Sequence, residues 1–501
     1  MKTLPSDAGC NISRLRCCAV LAFVLLNLAV YFIRMLSVWH YGTLFGTSGG
    51  ESLMIYSVWK GMRHLPVYEW PLRFPFSLSL YNYLFYGTYS VFLRWGGAWD
   101  AGIMTWGRLF TSSFAIMGAI AQWKLVSQQL NLRGARSLLS LLFALGLWFS
   151  TSMVRWWALT IRPDLAAVAL VMIALLVVLR RPRLGFALAG VFFYLAWSFK
   201  QSVILAFTGV CLFLLFHKRW RDMSTLVAVF SLLIAATLLL GTPEYRFSIL
   251  VAPRLVSEFS LINAWHAAEV SFIANAYWIV APLVLLLAAS ARKVDSSVRL
   301  LITVFAFAMV AGLAAMGKIG ASDNYLLEAF VAGSTLLQIA IFTAPGRLVS
   351  ILVLFGCAQP AIQIAMAPGG SHIFGTVQIA TEAEYADAVT LRERLASMAK
   401  PIFTTDETFA LPWLSTGNRA PAFIVDTKFH DATRLRCQNG CIEGMLQRGD
   451  IPTVMIGPGD NLYQQSLNPS YVKIGEAYHQ DKQYSIYVIR NPASGIDIPV
   501  R

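Results

Sequence analysis

Charged side chains are scarce in this chain, and the few that stand at the borders of its apolar runs are the ones able to do chemistry. Glu51 follows Gly49 and Gly50 in "FGTSGGESLMIYSVWKG", residues 45–61. A carboxylate there can act as a general base, with two glycines letting a ligand approach the backbone. The structural alternative is an acid at a helix N-terminus, stabilised by the helix dipole. Asp164 in "TIRPDLAAVAL" carries the same pair of readings. Pro163 and Asp164 suit the first turn of a helix, whereas Arg162 beside them is more than a helix start requires. Lys200 in "WSFKQSVIL" separates two apolar halves of sixteen residues each. It can snorkel to lipid headgroups or present a cation to an anion such as a phosphate, and the second reading is preferred. "GKIGASDNYLLEAF", residues 317–330, sets Lys318, Asp323, Asn324, Tyr325 and Glu328 at a further helix entrance. Asp323 suits an N-cap. Asn324 and Glu328, four residues apart, share a helical face with Tyr325 adjacent, and amides, carboxylates and aromatics of this kind bind sugars.

The elements that must position these residues follow from composition. The 501 residues are 57% hydrophobic and only 13% charged, with a mean hydropathy of +0.60. Apolar runs of bilayer length recur through the first three-quarters, which predicts a polytopic α-helical membrane protein. The first run, "CCAVLAFVLLNLAVYFI", follows Lys2, Arg14 and Arg16 but continues to Arg34 without a small-residue cleavage pattern, so it reads as a retained helix. Predicted crossings are 17–38, 107–127, 136–153, 164–181, 184–199, 201–216, 223–241, 276–291, 299–316, 328–344 and 348–366. Polar segments 39–106 and 242–275 lie between them.

Segment 79–95, "SLYNYLFYGTYSVFLRW", is rich in Tyr and Trp, the residues of the membrane interface. Charge parity places it there. With 79–95 in the interface, 16 basic and 3 acidic residues fall on the side of the N-terminal segment 1–16, against 12 basic and 9 acidic on the other within residues 1–366. The positive-inside rule then predicts about eleven crossings, with 1–16 cytoplasmic and the loops 39–106 and 242–275 and the tail outside, most simply in a bacterial inner membrane. Glu51, Asp164, Arg108, Arg162, Lys200, Lys318 and Glu328 all land on the outer face. The net charge of +14 is thus a topology signal and not a nucleic-acid patch.

From residue 367 onward the charge is −2 and the pattern changes. "EAEYADAVTLRERLASMA" reads as an amphipathic helix, "PIFTTD", "PAFIVD" and "TVMIG" as short buried strands, and "YVKIGEAY" and "YSIYVIR" as alternating strands. Residues 367–501 are therefore expected to form a small α/β domain after the 17–366 transmembrane domain. "GPGD" is a turn and no phosphate loop. Cys437 and Cys441 in "CQNGC" can pair if the tail is outside or stay as thiols, and the seven histidines show no metal-ligand spacing.

The ordered motifs "GGE" at 49–51, Gly61 and Tyr68, "RFPFSLSLYNYLFY" at 73–86, Gly107–Arg108, "RPD" at 162–164, "FKQ" at 199–201 and "GASDNYLLE" resemble the GT-C superfamily of membrane glycosyltransferases, such as the aminoarabinose transferase and the protein O-mannosyltransferases, over about residues 17–345. Many of those enzymes have an Asp where Gly50 stands, so the resemblance makes Glu51 the acid. It implies a GT-C-like fold and inverting transfer of a sugar from a polyprenyl-phosphate donor to a lipid, glycan or protein acceptor. It further implies Glu51 and Asp164 as catalytic acids, and Lys200 with Arg108 or Arg162 on the donor phosphate. Asn324, Tyr325, Glu328, Lys318, Tyr81 and Asn82 would contact substrate. The resemblance makes no cofactor certain and leaves a divalent metal open. A lipid-linked glycan flippase, an O-antigen ligase or polymerase, and a catalytically inactive scaffold are the rivals. Transporters tend to carry internal repeats and charges at the midplane; here the charges gather at one face, which favours an enzyme.

Overall fold

Apolar runs with no competing turn chemistry become helices. In the computed structural model, which describes residues 14–151, 154–180, 184–255, 259–266, 268–269, 278–280, 282–283, 295–318, 322–343, 347–365, 377–415, 423–425, 429 and 440–490, the first run is α1, Arg14–Tyr41. Then come α2 (Glu51–Met62), α3 (Tyr83–Trp95), α4 (Ala101–Gln129), α5 (Gly134–Trp148), a 3-10 turn Arg155–Leu159, α6 (Asp164–Arg180), α7 (Gly185–Phe199), α8 (Leu205–Phe216) and α9 (Trp220–Leu240). After a short helical run at 243–255 follow α10 (Ser296–Ala315), a 3-10 turn Asp323–Leu326, α11 (Leu327–Thr343) and α12 (Arg347–Ala365). One of these helices overlaps each expected crossing except 276–291, most of which lies outside the described residues.

Among the described residues five helical runs, Arg14–Tyr41, Ala101–Gln129, Trp220–Leu240, Ser296–Ala315 and Asp323–Thr343, are long and apolar enough to cross a membrane, and the protein is a polytopic helical membrane protein. Segment 79–95 contains the 13-residue α3, about 20 Å long.

Position in the bundle follows the distribution of apolar residues. On α11 every residue from Leu327 to Ile341 is buried, and α6 is buried on nearly all sides; helices apolar all round belong in the middle. On α9 only Leu226 and Phe230 are buried, which marks a perimeter helix. Two central helices therefore begin side by side at one end of the bundle. Gly312 on α10 lets the turn that starts the second one come close, since a Cβ there would lie 2.8 Å from the Tyr325 carbonyl oxygen.

The tail folds as a helix on a sheet. α13 (Glu382–Ser397) starts with a capping box between Thr381 and Glu384 and packs on the sheet through β3. Strands β1 (Ile402–Thr404), β2 (Thr453–Ile456), β3 (Tyr471–His479) and β4 (Lys482–Ile489) lie in the order β1-β2-β4-β3. β1 and β2 are parallel, joined through α14 (Cys441–Arg448), and the other pairs are antiparallel. "PAFIVD" is only partly described, and its described residues 423–425 belong to no described strand. Cys441 is disulfide-bonded; Cys437 lies outside the described residues.

Candidate functional site

Three polar clusters meet where the central helices begin and the α/β domain sits above them. The first holds Glu51. Its carboxylate is 0% exposed, as is Arg108. Oε1 accepts from Arg108 Nε at 3.0 Å and Ile161 N at 2.8 Å, and Oε2 from Arg108 Nη2 at 2.7 Å and Thr47 N at 2.8 Å. Arg108 also donates to the carbonyls of Gly42 and Phe45, at 2.6 and 2.7 Å. A Cβ at residue 42 would stand 2.6 Å from Arg108 Nη1, so glycine keeps that path open. Burial pushes the Glu51 carboxyl upward, but the Arg108 guanidinium and the two backbone N–H groups outweigh it and hold the group below the ordinary carboxylate range.

In this geometry both residues are engaged within the protein. Glu51 has two donors on each oxygen and none of its surface exposed. Arg108 has four of its five N–H groups engaged and none of its surface exposed. The pair ties residues 42–51 to α4 and to the turn before α6.

The second cluster is built on Asp164, the first residue of α6, 2% exposed. Lys200, where α7 ends, donates to its Oδ1, and Asn324 Nδ2 donates to the same oxygen at 2.8 Å. Arg162 Nε donates to Oδ2 at 3.3 Å. Arg162 continues to the Tyr81 hydroxyl at 2.6 Å and the Gly49 carbonyl at 2.9 Å, with its guanidinium over the Trp157 ring at 5.0 Å. The Lys200 ammonium stands 5.4 Å above the Tyr325 ring. Asp164, Lys200, Asn324, Tyr325, Ser202 and Glu328 line one small cavity. The Asn324 orientation is fixed, since a carboxylate can only accept; its Oδ1 is buried and lacks a partner.

The remaining candidates are placed differently. Glu328 borders that cavity, but its Oε2 accepts from Ala206 N at 2.7 Å, so it caps the start of α8. Asn82 is 0% exposed with both amide ends used, Nδ2 on the Trp197 carbonyl at 2.7 Å and Oδ1 under the Tyr245 hydroxyl at 2.5 Å. It is a joint between α3, α7 and the 243–255 run. Lys318 stands apart, exposed, its backbone bridged to Phe259. Asp323 receives Arg155 at 3.4 Å and Trp157 Nε1 at 3.3 Å instead of capping a helix.

The third cluster has no counterpart in the sequence reading. His479, at the end of β3, is buried between Asp406 Oδ2 at 2.5 Å and the Leu44 carbonyl at 2.8 Å. Both neighbours are acceptors, so both bonds form only when both ring nitrogens carry hydrogen. Phe45 and Phe409 pack on the ring with centroids at 5.0 and 4.8 Å. Burial raises the Asp406 carboxyl, but the bond and charge from His479 prevail and leave it below its ordinary value. The loop 42–51 is thereby held from below by Arg108 and from above by the α/β domain, with Gly50 N donating to Glu407 Oε2 at 2.9 Å as a second tie. Histidine and aspartate 73 positions apart offer no spacing signal. Among the described residues no group of three or more His, Cys, Asp or Glu gathers to hold a metal ion.

No protein-family model matches the chain, and no curated protein matches it in sequence. Its fold is similar to that of two crystal structures of ArnT from Cupriavidus metallidurans. The structure bound to undecaprenyl phosphate matches with a TM-score of 0.61 at 12% identity, covering 95% of this chain and 99% of that one. The apo structure matches with a TM-score of 0.61 at 12% identity, over 93% and 98%. At that identity the likeness is one of fold, and it is the fold that the GT-C resemblance implied.

Proposed function

We propose that the protein is a membrane glycosyltransferase that moves a sugar from a polyprenyl-phosphate donor to an acceptor on the outer face, with inversion. The observation that carries this reading is the convergence of Lys200 and Arg162 on Asp164, at the N-terminal ends of the two central helices. Two cations and two positive helix ends favour an anion. They are preorganised to neutralise charge as the lipid phosphate departs. In this structure Asp164 holds both cations. When the donor phosphate takes them over, Asp164 is left beside the reacting centre with its lone pairs freed, which makes it the base of this proposal in place of Glu51. Asn324 Oδ1 then has a sugar hydroxyl to accept from, and Tyr81 and Tyr325 flank the two cations. Glu51 and Arg108 are positioning residues for the loop whose Gly49 carbonyl holds Arg162.

The likeness of fold to a structure bound to undecaprenyl phosphate supports the choice of a polyprenyl carrier. A flippase would need charge along a path through the bundle. The buried polar groups deep between α4, α5 and α11 are neutral and bonded to one another: Gln122 to Gln338 at 2.8 Å, Trp148 to Gln122 at 2.8 Å, and Gln338 to the Ser140 carbonyl at 2.7 Å. The proposed topology has residues 1–16 in the cytoplasm and the α/β domain outside an inner membrane.

Polyprenyl phosphate binding to the protein in lipid nanodiscs tests the site. Replacing Lys200 by Met should weaken it by about tenfold or more, the value of one hydrogen bond to a charged group, and Arg162→Gln should do likewise. Equal affinity in wild type and both variants would remove the anion site from the account.

A further inference from the structure

The chain between α9 and α10 carries an apolar face that no other described part of the protein covers. Residues 259–266, "FSLINAWH", fall in the segment 242–275 expected to be a polar outer loop, yet they contain no Asp, Glu, Lys or Arg. Residues 261–266 are helical. Leu261 and Trp265, one turn apart, share with Ile262 a stripe about 100° wide, and they are 77, 76 and 81% exposed. That matches Leu239 and Leu240 at the end of the perimeter helix α9, at 78 and 87%. Ala264 and Ala268 are half-buried, so the small side chains face the protein and the large ones face away. Glu269, exposed two turns after Ile262 on the same face, ends the stripe. Single exposed apolar residues are ordinary, but a contiguous patch marks a surface that something else covers.

The attachment of this segment fixes its depth. α10 has 20 residues and is about 30 Å long, the thickness of a bilayer core. Gly317 and Lys318 follow its end directly, and so stand at the boundary between acyl chains and headgroups. The segment hangs from these two residues. Ser260 N donates to the Gly317 carbonyl at 2.9 Å, Phe259 pairs with Lys318 in an antiparallel bridge, and the Phe259 ring takes the space a side chain at residue 317 would need. The exposed Lys318 suits the level of the phosphates, where long cationic side chains end, and Trp265 suits the same zone.

We propose that residues 259–266 form an interfacial helix, with Leu261, Ile262 and Trp265 inserted at the headgroup–acyl boundary of the leaflet on the side of the α/β domain. The face thereby continues the lipid-facing surface of the crossing helices. A patch of three side chains is small beside the roughly 800 Å² per partner that a stable protein interface buries, which favours the bilayer over a second copy of the chain. Lys318 lies a few residues ahead of the turn that carries Asn324 and Tyr325, so the leaflet steadies the chain as it enters the anion site. The lipid contact itself does not depend on the sugar-transfer reading.

Fluorine NMR of the full-length protein carrying 5-fluorotryptophan, in nanodiscs of phosphatidylcholine and phosphatidylglycerol, tests the contact. The Trp265 line is assigned by its loss in Trp265→Phe. A nitroxide at the top of a lipid acyl chain should broaden that line severalfold more than a water-soluble gadolinium chelate does. The double variant Leu261→Asp with Ile262→Asp changes only exposed positions and should reverse this order by lifting the face out of the leaflet. Broadening led by the chelate in the unsubstituted protein would overturn the inference. So would broadening by neither reagent, the result if a second copy or another protein covers the face, or an order unaltered in the double variant.

Discussion

Two carboxylates at two helix starts look alike in the sequence, and burial and partners separate them. Glu51 is closed on both oxygens and held below the ordinary carboxylate range, while Asp164 borders a cavity beside two cations. Their substitutions should therefore fail in different ways. Glu51→Gln strips the partner from a buried guanidinium, a loss that costs about 3–5 kcal/mol, so it should show as a lowered melting temperature in detergent. Whatever protein remains folded should keep a substantial turnover. Asp164→Asn likewise strips a partner from the buried Lys200 and lowers the melting temperature, but the protein that remains folded should in addition lose turnover by about 10²–10⁴-fold, the usual contribution of a positioned base. The sign of the Glu51 shift adds a pH test. A depressed folded pKa gives stability that is present above the unfolded value of about 4.3 and lost as pH falls through the folded one. The singular character of Glu51 was legible in the sequence. Its partner was not, because Arg108 is 57 residues away and burial leaves no mark on residue type.

At the scale of elements, the loop between α1 and α2 is the part that needs explaining. It contains four glycines, at 42, 46, 49 and 50, and would be free to move, yet it helps to form the anion site, its Gly49 carbonyl receiving Arg162. Arg108 grips it through the carbonyls of Gly42 and Phe45, and His479 grips it through that of Leu44. The α/β domain thus acts as a clamp on the loop. Asp406→Asn removes the charge partner of a buried imidazole and should release the clamp, seen as faster amide exchange over residues 44–50. In wild type the Asp406 contribution has the same sign as that of Glu51: its carboxyl is depressed, so the clamp is intact above about pH 4 and loosens as pH falls further. The helices and most strands of the tail could be read from periodicity. The clamp could not, since it depends on residues 435 positions apart, Leu44 and His479, being brought together by the fold.

On the whole molecule, the architecture places two central helices, α6 and α11, so that their N-termini open toward the same domain. The long helices were visible as apolar runs, and parity assigns the charges to one face as part of the proposed topology. What parity could not give is which charges touch: it put Arg108, Lys318 and Lys200 on one face alike, whereas Arg108 is sealed, Lys318 is bridged elsewhere and Lys200 reaches Asp164. The proposed sidedness has its own test. A single cysteine at Gln483, an exposed residue of β4, should react with an impermeant thiol reagent from outside intact cells, and protection there would invert the topology.

The central claim is that Asp164, Lys200 and Arg162 form the reacting site of a polyprenyl-phosphate-dependent sugar transferase. Release of polyprenyl phosphate from a set of polyprenyl-phosphate sugars by the protein in nanodiscs, compared with Asp164→Asn, measures it most directly. The account predicts release by wild type with at least one donor and its loss in the variant by about 10²-fold or more. No release from any donor, or release by Asp164→Asn at the wild-type rate, would contradict it.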